Sequence, residues 1–311
     1  MPPSRSRLLA LVGPTASGKT EAALAIAERL GAEICSVDSM LVYRGMDVGT
    51  AKPTAAERRR VPHHLIDLAE PSERFTVARF QETACGVIDG LAARSVPALL
   101  VGGSGLYFRA VVDDLRFPPE DAAVRTALEA EASSAGVGIL HARLAGLDPA
   151  AAERIEPGNV RRTVRALEVV AATGKPFSSF ADAWELYPTE RVRAAGVRLP
   201  SEVLGRRVRA RVHTMLERGW LDEVRGLVTR GFGAWLTSTQ AIGYAELAAH
   251  LDGRLTLDDA VETTVKRTKN LARRQLAWFR RDPRIRWFDG GDDGAAPLVD
   301  GISAFLLEGS A

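Results

Sequence analysis

Cysteine is nearly missing: Cys35 and Cys85 are the only two among 311 residues, and no C-x-x-C pair occurs. A cysteine-built zinc site is therefore excluded, and the usage fits a reducing cytosol, with both thiols expected in the core. Long apolar runs are also absent. None approaches the ~20 residues needed to cross a bilayer, and no signal-type apolar segment opens the chain, so a cytoplasmic protein without a membrane partner is expected. Neither sign of charge dominates, with 41 basic side chains against 39 acidic. Any nucleic-acid affinity must then come from local clustering. The length suffices for a sizeable core and for about two domains.

Against these absences stands one sharp local pattern. Gly13-Pro14-Thr15-Ala16-Ser17-Gly18-Lys19-Thr20 fits G-x-x-x-x-G-K-[ST] at every fixed position. Its flanks suit a phosphate-binding loop: Leu8 to Val12 reads as a short buried strand, and Lys19 to Leu30 as a helix closed by Gly31. In such a loop the glycines let backbone N–H groups converge on phosphates, Lys19 adds a cation, and the Thr20 hydroxyl is placed to ligate Mg²⁺. Nucleotide hydrolysis, small-molecule phosphorylation and transfers that expel diphosphate can all use it.

Further strands are predicted at Glu33 to Val37 and Val96 to Val101, the second leading into Gly102-Gly103-Ser104-Gly105. Strand–helix alternation implies a parallel sheet with ligands at the carboxyl ends of its strands, where the loop, Asp38 and Ser104 would meet. From about Phe117 the texture turns to Ala- and Glu-rich helical segments, including Ala122 to Ser133 and Asn159 to Thr173. A strand near Arg193 to Leu199 returns to the core. Helices follow at about Ser201 to Arg218, Leu221 to Thr229, Tyr244 to Leu251 and Leu257 to Arg281, then a loose Gly290 to Pro297 connection and a short closing helix. The predicted class is α/β, a P-loop NTPase-like parallel sheet flanked by helices, with residues 1–116 and 190–311 as core and 117–189 as an all-helical insertion.

On a helix through residues 261–281, Lys266, Arg267, Lys269, Arg273, Arg274, Arg280 and Arg281 fall within an arc of roughly 160°, opposite Val261, Val265, Leu271, Ala272, Leu276, Trp278 and Phe279. Glu262 is the only acid in that stretch. A solvated face usually mixes signs, so this stripe of some ~20 Å suits a polyanion such as an RNA backbone. Arg161, Arg162 and Arg165 form a second basic cluster in the insertion.

Single residues leave choices open. Asp38, at a strand end near the loop, suits a metal ligand, a group behind one, a general base, or a cap for the following turn. Ser104 suits a phosphate contact or a helix cap. His63 and His64 are adjacent and diverge, which argues against a shared metal. A phosphate-loop hydrolase also needs a later strand ending in Asp for Mg²⁺, yet Pro97 to Val101 ends in Gly102, which weakens hydrolysis.

Taken together, GPTASGKT, SVDSMLVYRGMDVGTAKP (Ser36 to Pro53), PHHLID (Pro62 to Asp67), LLVGGSGLYF (Leu99 to Phe108), RALEV (Arg165 to Val169), QAIGY (Gln240 to Tyr244) and ARRQLAWFRRD (Ala272 to Asp282) closely resemble the bacterial tRNA dimethylallyltransferase family. The resemblance implies transfer of a dimethylallyl group from dimethylallyl diphosphate to N6 of adenosine 37 in tRNAs that read codons beginning with U. It implies Mg²⁺, Asp38 as general base, and an insertion that grips the anticodon stem-loop. Catalytic roles then fall to Asp38, Lys19 and Ser104. By family match, Asp38, Ser39, Met40, Leu41, Arg161, Arg162, Thr163, Val164, Arg165, Gln240, Ala241, Ile242, Gly243, Tyr244 and Ala245 would contact tRNA, with Ser104 and Arg125 near the substrate RNA. Lys266, Arg273 and Arg280 would add the stripe. Two departures stand out: Ser104 replaces the family's usual Thr, losing the methyl that limits its rotamers, and an Arg common before QAIGY is missing from Thr237-Ser238-Thr239. A monomer is expected. The competing enzyme reading is a small-molecule kinase with the basic helix as a lid over ATP.

Overall fold

The computed structural model describes residues 8–113, 115–180 and 186–308. The chain divides into two compact units, Met1–Asp114 with Pro188–Ala311, and Leu115–Tyr187. The sequence places these boundaries two residues further on.

The first unit is built on a six-stranded, all-parallel sheet: β1 (Leu8–Val12), β2 (Glu33–Ser36), β3 (His63–His64), β4 (Ala98–Gly102), β5 (Val192–Arg198) and β6 (Ile285–Asp289), in the order β3-β2-β4-β1-β5-β6. Ala10, Leu11 and Val12 of the central β1 are fully buried, as a parallel strand covered on both faces requires. Helices α1 (Lys19–Leu30), α2 (Ala55–Arg60), α3 (Val77–Ala93) and α4 (Gly105–Val112) lie between the early strands. Gly31 closes α1 in the left-handed conformation, with φ 58°.

Two strands carry no sequence signal. β3 is too short to show alternation, and β6 sits between charged residues at the sheet edge. β3 sends the two histidines apart: His63 Nδ1 lies 2.8 Å from the Val61 carbonyl and His64 Nε2 2.5 Å from Glu33. Helix α3 is likewise unexpected, and burial of Phe80, Ala84, Ile88 and Leu91 along one face accounts for it.

The second unit holds α5 (Ala122–Ala135), α6 (Val137–Leu147), α7 (Pro149–Arg154) and α8 (Val160–Thr173). Three of these helices begin on side-chain caps: Asp121 accepts from Ala123 and Val124, Asp148 from Ala151, and Asn159 from Arg162. Among the described residues their shared core is nine buried residues, including Leu128, Leu140, Leu144, Ile155 and Leu167. At its margin the fully buried Glu168 accepts from the Asp121 amide at 2.8 Å, from Arg125 at 2.6 Å, and pairs with Arg165 at 3.0 Å.

Back in the first unit, α9 (Ser201–Glu217), α10 (Trp220–Thr229), α11 (Tyr244–Leu251), α12 (Leu257–Phe279) and α13 (Val299–Leu307) complete the chain. A buried ionic cluster pins the end of α4 to the segment after α12. Arg284 donates to Asp113 at 2.6 Å, to Asp282 at 2.7 Å and to the Pro188 carbonyl at 3.3 Å, while Arg109 pairs with Asp113.

Candidate active site

Residues 13–20 wrap the carboxyl end of β1 because their backbone takes conformations few sequences allow. Gly13 has φ 146°, and a Cβ there would lie 2.5 Å from the Val197 carbonyl oxygen; Gly18 has φ 85° and serves as the N-cap of α1. The amides of the first turn of α1 are thus left without side-chain capping partners at the mouth of a cavity, which favours an anion.

That cavity, about 480 Å³, is lined by Thr15 to Glu21, by Asp38 and Leu41, by Thr50, Ala51 and Glu57, by Val101 to Gly103, by Arg207, Ala210, Arg211 and Thr214 of α9, and by Gln275 of α12. The loop, Asp38 and the Gly102-Gly103 turn therefore converge as the sheet rule predicts. Asp38 is half-buried, and its Oδ1 accepts the Met40 amide at 2.8 Å. This turn fixes the carboxylate's direction while leaving its other oxygen without a hydrogen bond among the described residues. Ser104 stands at the N-cap of α4, but its hydroxyl makes no cap bond, so the capping alternative is not realised. Its amide reaches the Val37 carbonyl at 3.4 Å, beside Asp38, while its side chain is not part of the cavity wall.

Three residues on the wall escape sequence reasoning. Arg207 donates to the Ala16 carbonyl at 2.9 Å and the Asp292 carbonyl at 2.8 Å, propping the loop from outside. One turn on, Arg211 has no hydrogen-bond or ion-pair partner among the described residues. Their i, i+4 spacing with Thr214 beyond is the signal that could have found this face of α9. Gln275 accepts the Thr15 amide at 2.8 Å, and Trp278 packs so closely on Gly105 that a Cβ there would overlap its ring. One face of α12 thereby touches both glycine-rich turns.

The electrostatics of the cavity are set by crowded cations. Burial and the Arg211 charge pull the Lys19 pKa down to about 7 against the opposing pull of Asp38, while its Nζ donates to the Pro14 carbonyl at 2.6 Å. Burial also lowers the Arg211 pKa, again opposed by Asp38. Lys19 and Arg211, half-buried and crowded together with Asp38 as the carboxylate that acts on both, leave this end of the cavity suited to a multiply charged anion.

Elsewhere the expected contacts divide. On α12 and just past its end, Lys266, Lys269, Arg273, Arg274, Arg280 and Arg281 are exposed and have no carboxylate partner among the described residues. The stripe is less uniform than its sequence: Arg267 is taken up by the buried Glu246, Glu262 by Arg209, and the helix ends at Phe279 with Arg280 as its cap. On α8, Arg161 and Arg162 are exposed, but Thr163 and Val164 face the core, with 0% and 2% exposure. Those two side chains cannot reach an RNA, because a helix turns them inward between the arginines. Arg125 and Arg165 are both held by Glu168, and Arg165 also donates to the Pro118 carbonyl at 2.7 Å. In the Gln240–Ala245 stretch only Gln240 and Ala245 are exposed and Ile242 is half-buried. Ala241, Gly243 and Tyr244 are buried, Tyr244 with its hydroxyl on Glu223, so these three positions are structural rather than RNA-facing. Ser39, Met40 and Leu41 are half-buried. Among the described residues no helix is long and apolar enough to cross a membrane.

The IPP transferase family model matches residues 41–282, and an isopentenyl transferase model matches residues 6–69. The chain is 49% identical over 298 residues to a tRNA dimethylallyltransferase of Kineococcus radiotolerans, covering 94% of this chain and 93% of the relative. With the tRNA dimethylallyltransferase of Desulforudis audaxviator it shares 46% over 299 residues, covering 94% and 96%. The crystal structure of a full-length tRNA isopentenylpyrophosphate transferase from Bacillus halodurans superposes with a TM-score of 0.69 at 41% identity, covering 97% of each chain. The chain belongs to the IPP transferase family, that of the tRNA dimethylallyltransferases.

Proposed function

We propose that the cavity holds dimethylallyl diphosphate and that its prenyl group passes to N6 of adenosine 37, in the anticodon stem-loop of tRNAs that read codons beginning with U. The observation that carries this reading is the meeting of Lys19, Arg211 and Asp38 in one cavity beside the amides of the α1 start. An adenine amine is a poor nucleophile because its lone pair is delocalised into the ring. As the N6–C bond forms and the allylic C–O bond breaks, Asp38 takes the N6 proton and the electron pair of the broken bond leaves with the diphosphate. Lys19, Arg211 and the loop amides stabilise the charge that grows on the bridging oxygen.

Among the described residues no group of three or more His, Cys, Asp and Glu could hold a metal. Mg²⁺ needs only one or two protein oxygens and takes the rest from phosphates and water, and the Thr20 hydroxyl on the cavity wall would be the protein ligand that holds it. When bound, Mg²⁺ neutralises diphosphate charge.

Extracting a stacked adenosine costs a few kcal/mol, offset by contacts to the rest of the loop. Candidates are Ser39 to Leu41, Gln240, Ala245, the α8 arginines and the exposed cations of α12. Ser104, whose amide bonds the Val37 carbonyl just outside the cavity wall, keeps the hydroxyl of the family's Thr and would meet the incoming base at the cavity's edge.

The test is incubation of purified protein with unmodified tRNA, Mg²⁺ and radiolabelled dimethylallyl diphosphate, with ATP in a parallel reaction. Label at adenosine 37 is expected; phosphate transfer from ATP without label would put a kinase in its place. Asp38→Asn, which can still accept the Met40 amide, should lower kcat by about 10²–10⁴-fold with tRNA affinity unchanged. Full activity in this variant would remove Asp38 as the base.

A further inference from the structure

The segment from Asp38 to Pro53 contains no helix and no named strand, yet Leu41, Thr50 and Ala51 form a wall of the cavity. Something must hold it. From within, the buried Lys52 donates to the Tyr43 carbonyl at 2.6 Å, to Asp47 at 2.5 Å and to Asp67 at 2.7 Å. From outside, one carboxylate on α10 gathers three successive amides. Glu223 Oε2 accepts from Asp47 and Val48, each at 2.7 Å, and Oε1 accepts from Gly49 at 3.2 Å. The same Oε1 accepts the Tyr244 hydroxyl at 2.7 Å. The neighbouring Trp220 seals this junction: a Cβ on either Gly49 or Gly243 would overlap its indole.

We propose that Glu223 is a positioning residue that holds residues 47–51 as a rigid wall of the substrate cavity. It does not line the cavity itself and acts through the three amides. A carboxylate accepts four hydrogen bonds here, which a neutral amide of the same shape cannot, since its NH₂ would meet N–H groups head on. Tyr244 opens α11 directly after Gln240–Gly243, so the same carboxylate also fixes the start of that helix. The inference rests on the proposed function, in that the cavity is taken as the diphosphate substrate's site.

Its test is steady-state kinetics of Glu223→Gln and Tyr244→Phe in the full chain. A merely structural role lowers the active fraction, which reduces apparent kcat and leaves KM unchanged. A displaced wall raises KM for dimethylallyl diphosphate. For Glu223→Gln that KM should rise about tenfold while binding of the tRNA stem-loop, which has contacts well beyond this junction, weakens about threefold at most. Tyr244→Phe, which removes one of the four bonds, should raise it about threefold and carries the test if the first variant does not fold. Unchanged KM in both variants, or an equal rise for both substrates, overturns the proposal. Binding of inorganic diphosphate to the parent protein is measured first. Its absence would sink the cavity reading itself, whereas binding with unaltered KM in the variants would sink only the role of Glu223.

Discussion

The cavity has two walls made by opposite means. Residues 13–20 are shaped first by their own backbone, through positive φ at Gly13, Ala16 and Gly18 and a close approach of Gly13 to β5, with one side-chain bond each from Gln275 and Arg207 added to it. Residues 47–51 have one comparable strained position, Ala51 at φ 52°, and are held instead by side chains from distant parts of the chain: Glu223, Trp220 and Tyr244. A backbone-built wall needs particular residues at fixed local spacing. A side-chain-built wall needs only that partners some 170 residues away arrive in register, as the Asp47–Glu223 bond does across 176 positions.

The largest effect should come from breaking the first wall. In Gly13→Ala the new methyl meets the Val197 carbonyl oxygen and the backbone is forced out of φ 146°. The sheet can persist while the loop cannot, so prenyl transfer should fall by more than about 10²-fold, measured by label incorporation, with the circular dichroism spectrum retained. Activity within tenfold of the parent would mean that this backbone geometry is dispensable.

Breaking the second wall should cost stability before chemistry. Gly49→Ala would drive a methyl into Trp220 and Tyr244, an overpacking event of typically 1–3 kcal/mol, read as a lower midpoint in urea unfolding. An unchanged midpoint would show that this junction yields easily and would weaken the contrast between the walls.

The same contrast explains what could be read in advance. The Gly13–Thr20 loop, β1, Asp38 and the Gly102–Gly103 turn were legible because their determinants are local: a motif, an apolar run, a residue at a strand end. The role of Glu223 was not legible, because an exposed-looking acid on an amphipathic helix is indistinguishable in sequence from a solvated one. Arg211 and Gln275 are similar cases, being one cation and one amide among many on helices whose partners are set by tertiary packing. Tyr244, Thr163 and Val164 show the reverse error. A motif match flags a whole stretch, but helical periodicity turns alternate members inward, and Tyr244 serves the lock rather than the RNA.

A change outside both walls sharpens the comparison by sparing each. Lys266 and Arg273 on α12 and Arg280 at its cap are exposed without carboxylate partners among the described residues. Changing all three to Ala should reduce the slope of log K against log salt for tRNA by up to about 2, at ~0.7 per phosphate contact on a single strand, and leave dimethylallyl diphosphate KM alone. Equal slopes for variant and parent would remove this helix from the RNA interface.

The smallest effect is a proton. With a pKa held near 7 by burial and by Arg211, Lys19 is partly uncharged in the free protein above neutrality, although its ordinary value is 10.5. A diphosphate beside it adds negative charge, which favours the ammonium form and raises that pKa. Binding at pH 8 should therefore take up a fraction of a proton, and at pH 6, where Lys19 is already charged, almost none from this group. Calorimetry of inorganic diphosphate binding in two buffers of different ionisation enthalpy measures the uptake directly. Lys19→Arg, which stays charged throughout, should remove the Lys19 share of the uptake at pH 8, leaving only the proton exchange of the diphosphate itself, while retaining a cation at the loop. Uptake that persists unchanged in that variant would assign the proton to another group and show that the crowding of Lys19 by Arg211 has no consequence for binding.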